Sequence, residues 1–247
     1  MQESSSVSGK PILIAIPAFN EQGSIRGIVE RVRASLPDYD LVVVDDGSAD
    51  STNEILKELG VATAKHYCNL GYGRALQTMI TYALRNGYEG LAILDADGQH
   101  RPEEIRELIE TFLNSEFDLL IGSRYVETHK YTGVPFGRRV GMFLFSKIVA
   151  VFGRQRIYDT SSGLKVIRKT VFDLLVNCHF VDFHAEIIIY LMRLGYSIGE
   201  HPITVAERTT GKSMHTLFNH VKYPLKTMLS VLIAIFDAEL KRRDIVK

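Results

Sequence analysis

Two carboxylates one residue apart, in Asp95-Ala96-Asp97-Gly98-Gln99-His100, follow directly on the apolar run Leu91-Ala92-Ile93-Leu94. That order predicts a strand ending in a tight corner, with Gly98 letting the backbone turn. A hard divalent cation suits such a corner. Mg2+ or Mn2+ takes oxygen ligands and keeps positions for substrate phosphates, so Asp95, Asp97 and the Gln99 amide oxygen could hold it against a diphosphate. There it would offset charge developing on a leaving group. The alternative is a polar loop whose aspartates cap the helix expected from about Pro102.

A second acidic turn, Val43-Val44-Asp45-Asp46-Gly47-Ser48, has the same form. One carboxylate could accept from a base N–H or a ribose hydroxyl, and its neighbour could cap the helix after Ser51; capping both ways is the competing account. Pro17-Ala18-Phe19-Asn20-Glu21 adds a third polar turn, which by itself is a loop.

The elements that must position these turns follow from the hydropathy pattern. Pro11 to Pro17 is a short continuous apolar run, read as a strand buried on both faces, and Gly23 to Leu36 has helical spacing with Ile25, Ile28, Val29 and Val32 on one side. Strand and helix then alternate: strands at about 40–45, 61–66, 90–94 and 117–122, helices at about 51–59, 73–86 and 102–114. This predicts an α/β fold, a mostly parallel sheet with helices on both faces and ligands at the carboxyl ends of the strands. All three polar turns fall at such ends. Beyond Tyr125 come a basic loop (Lys130, Arg138, Arg139), an apolar helix near 140–152 and a further α/β segment to about Val205.

The bulk numbers fit one large domain with an extension. The chain has 247 residues, 46% hydrophobic and 23% charged. Lys plus Arg and Asp plus Glu number 29 each, so no global basic field argues for nucleic acid as a partner. Cys68 and Cys178 lie far apart and read as reduced, buried thiols of a cytosolic protein. Residues 1–10 are polar and serine-rich without a signal-peptide core, which predicts a loose tail and no secretion. The apolar stretch 228–236 is too short to cross a bilayer.

Taken in order and spacing, several segments resemble the family 2 glycosyltransferases, and within them the dolichyl- or polyprenyl-phosphate hexosyltransferases. They are Ile16-Pro17-Ala18-Phe19-Asn20-Glu21, Val43 to Ser48, Asn69-Leu70-Gly71-Tyr72-Gly73-Arg74-Ala75-Leu76, Asp95 to His100, Gly122-Ser123-Arg124-Tyr125, Asp159-Thr160-Ser161-Ser162-Gly163, Glu186, Glu200-His201-Pro202-Ile203 and Arg208-Thr209-Thr210-Gly211-Lys212-Ser213. The resemblance covers 11–213. It implies a GT-A fold, a UDP- or GDP-sugar donor, inversion at the anomeric carbon, and Mg2+ or Mn2+ on Asp95, Asp97 and Gln99. Pro17, Ala18, Glu21, Asp45, Asp46, Asp95 and Ala96 would line the donor site, with Arg208 and Lys212 reaching the diphosphate from a closing loop. Arg74 departs from many relatives, which carry a small or other basic residue there.

For the acceptor, the same resemblance places a lipid phosphate against Arg124, Arg138, Arg139 and Ser162, and guanidinium suits bidentate phosphate binding. A basic surface loop is the competing account. A lipid monophosphate is already an anionic nucleophile, whereas a glycan or glycolipid hydroxyl would need a general base, for which Asp159 and Glu186 are the candidates; orientation is the favoured role for both. In 214–247 a helical apolar face (Leu217, Val221, Pro224, Leu225, Met228, Leu229, Leu232, Ile235, Phe236) alternates with Lys222, Lys226, Lys241, Arg242 and Arg243. That predicts an amphipathic helix lying on the cytoplasmic face of a membrane, on a small membrane protein, on its own domain or in a homo-oligomer. The expected activity is hexosyl transfer to a polyprenyl phosphate; the rivals are transfer to a hydroxyl and a non-catalytic nucleotide-sugar binding protein.

Overall fold

The computed structural model describes residues 10–96, 100–127, 136–178, 183–204 and 219–245. Among the described residues there are seven strands, most of them short apolar runs: β1 Lys10–Ala18, β2 Asp40–Asp45, β3 Ala62–Lys65, β4 Tyr88–Ile93, β5 Leu119–Ser123, β6 Lys165–Arg168 and β7 Ile198–Pro202. They make one sheet in the order β3-β2-β1-β4-β6-β5-β7. Alternate residues of β1 enter different cores. Leu13 and Ala15 pack on one face, Ile12, Ile14 and Ile16 on the other, which is why the run is apolar without interruption.

The helices are α1 Ile25–Ser35, α2 Thr52–Glu58, α3 Tyr72–Arg85, α4 Pro102–Leu113, α5 Phe136–Gly153, α6 Phe172–Val176, α7 Ala185–Leu194 and α8 Asn219–Ile245. One core is closed by α1, α2 and α4 through Ile25, Val29, Leu56, Leu108 and Phe112. The other is closed by α3, α5, α6, α7 and α8 through Met79, Val149, Phe172, Ile189 and Ala234. Each such large side chain contributes roughly 1.5–3 kcal/mol by leaving water. Pro102 starts α4 at its first position, and Gly195, left-handed at φ 94°, ends α7.

The mostly parallel sheet expected from the alternation is present, and helix α5 starts earlier than the apolar spacing suggested. The strand that the pattern did not locate is β6. It runs antiparallel between β4 and β5, pairing Lys165 with both Ile93 and Ile121. Helix α8 packs on α7 through Val231, Ala234 and Ala238, with Arg193 paired to Glu239 at 2.9 Å. Its other face exposes Met228, Leu229, Leu232, Ile233 and Phe236. Of the sites named for an interfacial helix, residues 214–218 lie outside the described residues. Among the described residues no helix is long and apolar enough to cross a membrane.

Candidate active site

β1 pairs β2 on one side and β4 on the other, all parallel, so the chain leaves β1 toward opposite edges and a crevice opens at the carboxyl ends of β1 and β4. Its wall is made by loops stitched to one another. The backbone N of Asn20 donates to Ser48 Oγ at 2.9 Å, while its side-chain Oδ1 accepts from Ala49 N at 2.9 Å. Glu21 N donates to Thr52 Oγ1 (2.9 Å), Gln22 N to Asp50 Oδ2 (3.1 Å), and Ser51 N to Gln22 Oε1 (3.1 Å). Pro17 is half-buried and Ala18 buried at the end of β1, beside this seam.

The acidic turn after β2 grips a third loop. Asp46, 4% exposed, accepts from Leu70 N (2.9 Å) and His66 Nδ1 (2.6 Å) on Oδ1 and from Gly71 N (2.8 Å) on Oδ2. Its carboxylate thus sits at the N-terminus of α3, where negative charge is favourable. Asp45, fully buried, accepts from Ser48 N at 2.9 Å and closes its own turn. Neither caps α2; Asp50 takes Thr52 N at 3.0 Å instead. Gly47 has φ +74°, and a Cβ there would lie 2.4 Å from the Cys68 carbonyl carbon. Only glycine fits under that backbone.

The floor is charged. Asp95 lies half-buried two residues beyond β4, and Arg101, the N-cap residue of α4, makes no side-chain capping bond. Gly163 is pressed against it: a Cβ there would be 1.6 Å from Asp95 Oδ2. The 159–165 turn that carries Gly163 also carries Asp159, whose Oδ2 and Oδ1 accept from Arg124 Nε (2.7 Å) and Nη2 (2.8 Å). Arg124 N donates to the same Oδ2 at 3.2 Å. Burial works against the guanidinium charge, but the bonds and charge of Asp159 outweigh it and hold Arg124 ionised. Glu200 ties the turn down from β7, accepting from Tyr158 N (2.8 Å) and Asp159 N (2.9 Å). Burial nevertheless raises the Glu200 pKa.

Glu186 is fully buried in the first turn of α7, where Oε1 accepts from His184 N at 3.2 Å. His184 stacks on Tyr72 across the floor, ring centroids 6.4 Å apart. The Tyr72 hydroxyl is pushed well up in pKa by burial and by Asp95. Ser162 is buried and its hydroxyl serves its own turn, bonding Leu164 N at 3.2 Å.

The structure therefore brings Asp95, Ala96, Arg124, Asp159, Glu186 and Ser162 to the floor and Pro17, Ala18, Glu21, Asp45 and Asp46 to the wall. Arg139 is exposed on α5, and Arg138 precedes it in the same helix, its side chain outside the described ones. Asp97, Gln99, Arg208 and Lys212 also lie outside the described residues. Thr204, just ahead of the Arg208 segment, is anchored by its backbone N on Glu104 of α4 at 2.7 Å. Arg74, whose role was open, donates to Gln77 Oε1 at 2.6 Å, and Gln77 in turn bonds the Cys178 carbonyl at 2.9 Å.

Sequence reasoning missed Lys165, 4% exposed on β6. A lysine inside the apolar run Leu164-Lys165-Val166-Ile167, directly after a polar turn, was the available signal. Among the described residues the corner offers one candidate oxygen ligand, Asp95, closely approached by Gly163 at the open end of a strand, and a carboxylate oxygen is a donor type that a hard divalent ion takes.

Comparison with known proteins accords with this geometry. The family model described as glycosyl transferase family 2 matches residues 13–175. The polyprenol monophosphomannose synthase of Mycolicibacterium smegmatis is 32% identical over 215 residues, 81% of this chain and 79% of the relative. The UDP-N-acetylglucosamine–dolichyl-phosphate N-acetylglucosaminyltransferase of Methanococcus voltae is 29% identical over 218 residues, 80% and 86% of the two chains. Among solved structures, glucosyl-3-phosphoglycerate synthase from Mycobacterium tuberculosis, crystallised with Mn2+, UDP-glucose and phosphoglyceric acid, superposes with a TM-score of 0.68 at 18% identity. That match covers 92% of this chain and 80% of the other. A relative this similar over this length, on a sheet of this topology, makes the chain a member of glycosyltransferase family 2, an enzyme of GT-A fold.

Proposed function

We propose that the enzyme transfers a hexosyl unit, with inversion, from a UDP- or GDP-sugar to a polyprenyl phosphate at the cytoplasmic face of a membrane. The carrying observation is the Arg124–Asp159 pair. Asp159 grips one edge of the guanidinium, and Ser161 Oγ takes a further Nη2 hydrogen at 3.3 Å. Among the described residues nothing accepts from Nη1, which leaves its N–H groups on a fixed, part-exposed guanidinium within electrostatic reach of Asp95. A held cation with N–H groups to spare suits a phosphate oxygen.

Asp159 and Glu186, the carboxylates that could act as bases, are both buried and bonded within the protein. An acceptor that is already anionic needs neither for proton transfer, so orientation is their role in this reading. On the donor side, Asp95 with Asp97 and Gln99 would hold Mg2+ or Mn2+, and Arg208 and Lys212 would meet the diphosphate. When bound, the cation stabilises negative charge on the leaving nucleotide. Pro17, Ala18, Glu21 and the stitched turns of Asp45 and Asp46 would present a preformed wall to the nucleoside.

The lipid half is supported by exposed apolar side chains on two helices: Val140, Phe143, Leu144 and Val151 on α5, and Met228, Leu229, Leu232 and Phe236 on α8. Arg139, Lys147 and Arg242 are exposed among them. Apolar faces with interspersed cations suit an anionic membrane surface. Two relatives are named for transfer to, or synthesis of, polyprenyl- or dolichyl-phosphate sugars.

The test supplies radiolabelled UDP- and GDP-sugars, Mn2+ and polyprenyl-phosphate vesicles. Label in a mild-acid-labile lipid, lost with EDTA and restored by Mn2+ or Mg2+, is the expected result. Label in an acid-stable product, or none with any donor, would overturn the reading.

A further inference from the structure

Helix α3 carries a pattern that the transfer reaction does not use. Arg74, Thr78, Thr81 and Arg85 recur at intervals of four, three and four residues and so share one side of the helix. All four line a cavity of about 470 Å³ bounded by β3, α3 and α6. No residue placed on the floor or the wall of the crevice borders it. It is a second space, and among the described residues its lining holds two guanidiniums and no carboxylate.

A pair of exposed arginines is ordinarily a solvated surface, but these two stand in an ordered setting. Arg74 Nη1 donates to Gln77 Oε1 at 2.6 Å, and Gln77, 8% exposed, is itself anchored by Nε2 on the Val176 and Cys178 carbonyls at 3.2 and 2.9 Å. A buried amide thus holds one guanidinium at the cavity, with Nε and Nη2 to spare. At the other end of the stripe, the Arg85 guanidinium and the Tyr82 hydroxyl, which also line the cavity, have no hydrogen-bond partner among the described residues. The middle is different. Thr81 gives its hydroxyl hydrogen to the Gln77 carbonyl at 2.7 Å. Asp46 accepts from His66 Nδ1 at 2.6 Å, so in the neutral ring Nε2 is the acceptor and takes the Thr78 hydroxyl hydrogen at 2.8 Å. Both threonines therefore present lone pairs. The cavity offers positive charge and donors at its ends and acceptors between them.

The complementary ligand is anionic at both ends and carries hydroxyl donors along its middle. Arg74 and Arg85 stand eleven residues apart, a rise of about 16 Å, which a single inorganic phosphate cannot bridge. We propose that this cavity is a second binding site, for a small sugar or polyol phosphorylated at both ends. Its volume lies in the range of about 300–1,000 Å³ usual for small-molecule sites. The site gives Arg74 a role, and it stands or falls independently of the donor and acceptor that the crevice takes.

Equilibrium dialysis of the full chain tests this with radiolabelled fructose 1,6-bisphosphate as the two-anion probe, and with fructose 6-phosphate and inorganic phosphate as one-anion probes. EDTA keeps metal out, and about 0.15 M salt screens diffuse surface charge. The bisphosphate is expected to bind at least about tenfold more tightly than either one-anion probe, the scale of one hydrogen-bonded charge pair. Arg74→Met and Arg85→Met are each expected to weaken its binding about tenfold, whereas Arg31→Met, which removes an exposed cation of α1, leaves it unchanged. Thermal unfolding checks that the variants fold. Arg85 makes no hydrogen bond or ion pair with the described residues, so Arg85→Met decides the matter should Arg74→Met not fold. No binding at millimolar bisphosphate, one-anion probes that bind as tightly, unchanged binding by Arg85→Met, or an equal loss in Arg31→Met each overturns the inference while leaving the proposed function standing.

Discussion

Substituting Asp159 by Asn isolates the interaction on which the acceptor side depends. Asp159 is fully buried and accepts from Arg124 N, Nε and Nη2 at 3.2, 2.7 and 2.8 Å. Asparagine keeps the volume but removes the charge and turns one acceptor into a donor aimed at a donor. Hydrogen bonds to charged groups contribute about 1.5–3 kcal/mol each, and breaking one partner of a buried pair costs about 3–5 kcal/mol. The Arg124 side chain is 22% exposed, so water relieves part of the loss and the expected cost is at the lower end, about 3 kcal/mol. Urea unfolding of wild type, Asp159→Asn, Arg124→Met and the double variant closes a cycle. Because the double variant orphans no charge, it should cost less than the sum of the singles by about 2 kcal/mol or more. Transfer activity should fall in every variant, since a guanidinium free to change rotamer no longer presents its spare N–H groups. Additive costs, or an Asp159→Asn cost within about 0.5 kcal/mol of zero, would refute the claim that the pair is a coupled buried unit.

Other perturbations bear on the wall and its supports. Gly47→Ala forces φ +74° on a residue with a Cβ and drives that Cβ into the Cys68–Asn69 backbone; a loss of at least about 1–3 kcal/mol in thermal or urea unfolding is expected, with a raised donor KM. Gln77→Leu leaves the Val176 and Cys178 carbonyls without their Nε2 donor, and calorimetry should show a cost of about 1–3 kcal/mol. For Asp50, burial raises the pKa, but hydrogen bonds from Thr52 and Gln22 outweigh it and leave it below the ordinary 3.8. A lowered carboxylate stabilises the fold above its unfolded pKa and loses that contribution as pH falls through the folded value. Wild type should therefore exceed Asp50→Asn in stability near neutrality, and the two urea curves should converge in acid.

The strong periodic elements were readable because each states its surroundings twice, in propensity and in pattern: β1 is apolar at every position because both of its faces are covered. The convergence of the polar turns was readable for a topological reason, since parallel strands deliver their carboxyl ends to one edge. What each turn does there was not. Asp46 offers the same letters as an exposed base-reading carboxylate, yet three donors from the β3–α3 loop, His66 Nδ1, Leu70 N and Gly71 N, occupy it, and no local pattern announces partners twenty or more residues away. β6 escaped notice because four residues that open on Lys165 and close on Arg168 show neither period clearly.

The insertion of β6 has a consequence for how the chain acquires its shape. β4 and β5 are successive strands, yet they do not touch; each waits for residues 165–168, which arrive after α5. During synthesis, β1, β2 and β3 can pair as they emerge, while the far edge of β4 and the inner edge of β5 stay open. Open apolar edges invite pairing with other chains, and late, non-local closure is slow. An amino-terminal fragment ending before Lys165 would thus leave one edge of β4 and both edges of β5 unpaired, and would be expected to aggregate even though it contains every strand of the donor wall.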